Sequence, residues 1–180
     1  MADVRLVQYS LAVRLARENR YQEAADIYAS IHATRRVPRM RRLAALYEES
    51  NRADQTDRQR REARYQMAEF VSANPDRIYF NDALWGGVQR YALQASGESR
   101  LTAAERQALM ERERKLKDDQ EERWRAYLIL RDVVRDEGRT TLGRKAASLA
   151  VRCLQGISDR FGRQAEIRKA SGELWKRGNP

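Results

Sequence analysis

One cysteine and one histidine are all that 180 residues supply of the two most versatile catalytic side chains. With Cys153 alone, an intrachain disulfide and a thiolate zinc site are both ruled out. Its apolar neighbours point to a buried structural thiol. Any Ser-His-Asp or Cys-His arrangement would have to be built around His32, which has no carboxylate or thiol beside it in the sequence. The phosphate-cradling patterns G-x-x-x-x-G-K-[ST] and G-x-G-x-x-G are missing, as are the Glu-x-x-His motifs of di-metal helical bundles. Hence no enzymatic activity, cofactor or metal is expected. Long apolar runs are lacking too: nothing approaches the ~20 residues of a membrane span. The opening MADVRLVQYS carries no signal-peptide core, and a cytoplasmic protein is expected unless a targeting segment has been removed.

Backbone breakers are scarce, with 9 Gly and 3 Pro. Ala, Arg, Glu, Gln and Leu dominate instead, and their intrinsic propensities favour helix. No window alternates β-branched and polar residues as a half-buried strand would. The fold class read from this is all-α.

Charge is abundant. Charged residues make up 34% of the chain and the net charge is +10. All but five of the 36 basic residues are arginine, the exceptions being Lys115, Lys117, Lys145, Lys169 and Lys176. Guanidinium pairs phosphate oxyanions bidentately, so arginine richness is compatible with nucleic-acid binding. It equally accompanies a GC-rich genome. The 26 acidic residues are interleaved with the basic ones, as on solvated helices with i,i+4 pairs.

The stretch from Ser10 to Ile31 holds two amphipathic segments around the polar turn Glu18-Asn19-Arg20. Leu11, Ala12 and Leu15 share one helical face; Tyr21, Ala24, Ile27, Tyr28 and Ile31 form a second stripe. Ala24, small between larger neighbours, suits a close helix crossing. Tyr21, Ala24 and Tyr28 follow the spacing Y-x-x-A-x-x-x-Y, and the segment resembles a tetratricopeptide repeat, with Asn19 where that repeat usually has Gly. The resemblance implies antiparallel helical pairs in a tetratricopeptide-like α-solenoid or an irregular helical array. Pro38 and Pro75 lie 37 residues apart, near the ~34-residue repeat period.

Further along, helices are expected over about 3–17, 21–33 and 38–49, followed by one capped by Asp54 or Thr56 and ending before Asn74-Pro75. Arg35, Arg36, Arg39, Arg41 and Arg42 form the densest basic patch. Ile78-Tyr79-Phe80 introduces a helix capped by Asn81 and carrying Trp85 and the pair Gly86-Gly87. Thr102 and Glu105 make a capping box opening a long helix over 102–137, whose charged middle from Glu111 to Arg123 reads as exposed or bridging. Gly138 suits its C-terminus. Thr140 or Thr141 caps the cleanest amphipathic helix, with Ala146, Leu149, Ala150, Cys153, Leu154, Ile157 and Phe161 on one face. A last helix begins near Gln164. Residues 1–75 are read as tetratricopeptide-like hairpins and 76–180 as a further helical region of one continuous array. The closing Gly178-Asn179-Pro180 resembles an inter-helix turn, as in a fragment or subunit of a larger assembly.

By the same resemblance, the groove side of the first helix holds Leu6, Tyr9, Val13 and Arg17, and the next first helix adds Arg39 and Arg42. An apolar floor with a basic rim suits an acidic peptide or protein partner. The expected function is a non-enzymatic scaffold or adaptor. The competing reading is a basic helical domain binding RNA or DNA through the Arg35–Arg42 cluster together with Arg58, Arg60, Arg61 and Arg64.

Overall fold

A computed structural model of the chain describes residues 4–75, 77–81, 102–157 and 164–178. Eight α-helices occupy them, and no strand occurs among the described residues: α1 (Val4–Arg17), α2 (Tyr21–Ser30), α3 (Val37–Asn51), α4 (Asp57–Ser72), α5 (Ala103–Gln120), α6 (Glu122–Glu137), α7 (Thr141–Gln155) and α8 (Gln164–Gly178). The chain is an all-α helical array. Successive helices pack on one another from α1 to α4, then α4 packs on α6, α6 on α7 and α7 on α8. Helix α5 stands apart from this row, its main contact being with α6.

Short-range chemistry sets the boundaries. Between α1 and α2 the Arg20 N–H donates to the Leu15 carbonyl (2.9 Å), which requires a left-handed residue at Asn19 (φ +62°). Asparagine tolerates that conformation better than other side chains, so it stands in for glycine here. Pro38 sits in the first turn of α3, where its missing N–H costs nothing. Thr56 and Gln59 exchange the reciprocal bonds of a capping box at α4, and Thr102 and Glu105 do the same at α5. Thr140 caps α7 by accepting from the Gly143 N–H (3.1 Å). Gly143 is needed for packing: a Cβ there would lie 2.2 Å from the Gly138 carbonyl oxygen.

One core runs the length of the array, from Ala12 on α1 to Leu174 on α8. Tyr21, Ala24, Ala25 and Tyr28 are buried on α2 between α1 and α3, and Cys153 is buried on α7. Burial pushes the Cys153 thiol up, so it is a poor nucleophile at neutral pH.

Three boundaries differ from expectation. The helix expected over about 21–33 ends at Ser30, and His32 beyond it is left-handed (φ +58°). The helix expected over 102–137 breaks at Glu121, whose backbone is extended (φ −87°, ψ 106°), so α5 and α6 are separate. The break lets Glu122, assigned by the sequence to an exposed charged bridge, turn into the core at 1% exposure. At its C-terminus α7 stops at Gln155, with the Gly156 N–H closing on the Arg152 and Cys153 carbonyls. Ile157 still packs against the core beyond it. The helix expected after Asn81, with Trp85 and Gly86-Gly87, and the position of Phe161 lie outside the described residues.

Ala24 has no accessible surface. Ala24→Leu is expected to overpack α2 against its neighbours and cost about 1–3 kcal/mol, read as a lower urea midpoint. An unchanged midpoint would contradict close packing at this position.

Candidate functional site

After α4 the chain does not turn straight into another helix. Residues 77–81 form an irregular strap against α1, the start of α3 and the start of α6. Ile78, Tyr79, Phe80 and Asn81 are all buried. A buried main chain without helix or sheet partners must find its hydrogen bonds elsewhere, and here charged side chains supply them. Arg36 donates from Nη1 to the carbonyls of Arg77 (2.6 Å) and Ile78 (3.4 Å), and from Nη2 to that of Phe80 (3.2 Å). Arg17 donates through Nε and Nη2 to the Tyr79 carbonyl (2.9 and 2.8 Å). On the other side, one carboxylate oxygen of Glu122 accepts the N–H groups of Ile78 (3.2 Å) and Tyr79 (3.0 Å). The Asn81 amide donates to Ser10 Oγ (3.1 Å).

Aromatic rings complete the setting. The Arg36 guanidinium lies 5.6 Å from the Tyr9 ring centre and 5.9 Å from that of Tyr28, while Tyr9 meets Tyr28 edge-on. Arg125 lies 4.1 Å over the Tyr79 ring and donates to the Arg17 carbonyl (2.8 Å). Tyr21 donates its hydroxyl to Asn19 Oδ1 (2.9 Å), leaving its oxygen to accept from Tyr79 at 2.8 Å. Burial, foremost, raises the pKa of both phenols. Asn19 thereby has two roles, turning the chain and anchoring a buried phenol.

The residues expected to line a partner groove are divided by this strap. Val13 is buried, Tyr9 and Leu6 are half-buried, and Arg17 is engaged on Tyr79. They share one side of α1, which the strap meets at Arg17 and nearby Ser10 and on which Tyr9 packs against Tyr28 and Arg36. Arg39 is turned to the end of α4, donating to Asn74 Oδ1 (3.2 Å) and to the Arg35 carbonyl (2.5 Å), and Arg42 is exposed on the outside. The six residues do not form one open surface. Sequence reasoning missed Arg36, Glu122 and Arg125. Nothing local distinguishes Arg36 from Arg35 or Glu122 from Glu121. The one available signal was the apolar run Ile78-Tyr79-Phe80 directly after a proline turn.

Among the described residues, no group of three or more His, Cys, Asp or Glu could hold a metal ion, and no helix is long and apolar enough to cross a membrane. No family model matches the chain, and no match is found among curated proteins or solved structures. Its function is therefore argued from its surfaces.

Glu122→Ala leaves the Ile78 and Tyr79 N–H groups without their acceptor and should cost about 1–3 kcal/mol in a denaturant titration. Glu111→Ala, at an exposed α5 position, should be near neutral; equal effects would refute the pinning role. A second expectation concerns alkali. Tyr21 and Tyr79 are raised above the ordinary 10.0, so the folded state holds protons that the unfolded state releases. Their protonated, buried form carries no penalty below that pH. Stability should fall as pH rises past about 10, more steeply than in Tyr21→Phe, measured by melting temperature against pH.

Proposed function

We propose that the chain is a non-enzymatic scaffold or adaptor that docks another protein on the outer face of α1. The observation that carries this reading is the exposure of Val4 (70%), Val7 (57%) and Leu11 (47%). Spacings of three and four residues put them on one side of the helix. Contiguous exposed apolar side chains of this kind mark interaction sites more often than single ones do. The side of α1 that the strap meets is taken by internal bonds, which moves the reading from the groove suggested by the repeat resemblance to this opposite stripe.

The chemistry of the partner follows from the surroundings. Beside the stripe, α1 displays Arg5 and Arg14, the latter paired with Glu18 just beyond the helix (3.0 Å), and α1 itself has no acidic residue, in a chain of net charge +10. An apolar helix or groove bordered by carboxylates complements this surface, with the apolar contacts supplying affinity and the charges steering approach.

The test is capture from the native host by the tagged chain, with and without nuclease, at low and moderate salt, alongside Val7→Glu/Leu11→Glu. Because both positions are exposed, the variant should melt within a few degrees of wild type. A partner should be retained through nuclease and moderate salt and be lost in the variant. Loss of every retained component on nuclease treatment, or equal capture by the variant, would overturn the reading.

A further inference from the structure

A second surface, on another part of the array, has a different chemistry. Between α4 and α7 lies an open trough of about 310 Å³ lined by Tyr65, Thr141, Arg144, Lys145, Ser148 and Arg152. Five of the six come from α7 at spacings of three, four, seven and eleven residues from Thr141, which is one helical face. At 1.5 Å per residue they extend over about 16 Å. The opposite face of α7 is the buried one, with Ala146, Leu149, Ala150 and Cys153. The fold thus fixes which way the cations point.

Acids and bases interleave over most of the chain, but α7, like α1, has three cations and no acidic residue. Arg144, Lys145 and Arg152 are exposed, and none of them makes an ion pair among the described residues. Arg58, exposed at the start of α4, lies close enough to Glu137 to help hold its carboxyl down, after Thr140 and Arg61. Three carboxylates are near. Glu137 accepts from Thr140 and pairs with Arg61, Glu69 accepts the Tyr65 hydroxyl (3.4 Å), and Glu62 acts on the same phenol at longer range. None of them lines the trough.

We propose that this trough binds the phosphate backbone of nucleic acid. Lys145 and Arg152 sit about two turns apart along the axis, so their side chains can meet different, non-adjacent phosphates of one strand. Ser148 places a hydroxyl donor between the charges and Thr141 one at their N-terminal end, and Tyr65 gives one wall an aromatic ring, the combination used by sequence-tolerant strand binders. An acidic protein partner fits less well, because the trough is open and offers no closed pocket in which an anchor would be fully desolvated. The denser Arg35–Arg42 cluster is a weaker candidate. Arg36 is buried on the strap and Arg39 is engaged at Asn74, leaving Arg35, Arg41 and Arg42 displayed. This site is independent of the α1 docking face.

The experiment is fluorescence anisotropy of the full chain with a labelled single-stranded oligonucleotide of about 15 residues. Titrations at about 50 and about 200 mM salt compare wild type, Arg144→Gln/Lys145→Gln/Arg152→Gln, and the charge-matched Arg35→Gln/Arg41→Gln/Arg42→Gln. The trough variant should weaken binding roughly tenfold or more and flatten the log–log salt slope by about 2. The charge-matched variant should change affinity by less than about threefold. Ser148→Glu, which retains every cation, should also weaken binding, and melting curves confirm that each variant is folded. The proposal is overturned by no oligonucleotide binding in wild type, by equal losses in the two triple variants, or by an unaffected trough variant. It is also overturned if polyglutamate displaces the oligonucleotide at matched charge, which would make the trough a site for acidic polypeptide.

Discussion

Five arginine hydrogen bonds to four carbonyls and one shared carboxylate hold residues 77–81 inside a helical array that offers them no ladder to join. Everything around the strap is arranged by that need. Arg17 must end α1 facing it, Arg36 must precede α3, and α6 must begin with Glu122 turned inward. Burying a carboxylate and guanidinium groups is costly unless each is bonded. Here the charged groups are directed at backbone dipoles, so the array and the strap satisfy one another. The ring of Tyr79 under Arg125, and its hydroxyl on Tyr21, extend the same solution from main chain to side chain.

Arginine is consequently used in two separate ways. Arg17, Arg36 and Arg125 work inside the protein as planar forks: Arg17 puts two donors on one carbonyl, Arg36 reaches three carbonyls beside two rings, and Arg125 bonds the Arg17 carbonyl while lying over Tyr79. Lysine, a point charge with no plane to stack, would not replace them. Arg144 and Arg152 are displayed outward along α7, as are Arg35, Arg41 and Arg42 beside α3. The net charge of +10 does not separate these uses. A positive patch in the sequence therefore overstated the surface of α3 and understated that of α7, where the cations are fewer but all face one trough.

The outer stripe of α1 and the trough of α7 belong to different regions of the array and differ in chemistry. One is apolar, bordered by charge; the other is polar and cationic, with no aliphatic residue. The two proposed sites together would bring a protein and a polyanion to one chain, each with its own dependence on salt.

Local sequence determined the helices and most of their ends. Thr56, Thr102 and Thr140 cap, Pro38 opens and Gly138 closes, because each acts through bonds or dihedrals within a few residues of itself. Periodicity likewise placed Ala24 and Cys153 in the core, since a helical face must be buried as a unit. Tertiary structure alone decided the rest. Glu122 sits among charges that look solvated, and Val13 and Arg17 look like the floor and rim of a groove. Only the return of residues 77–81, more than sixty positions after Arg17 in the case of its bond to Tyr79, turns the first into a buried acceptor and engages Arg17, while the packed core buries Val13. Such pairings depend on which main chain arrives beside which side chain, and neither residue type nor spacing encodes that.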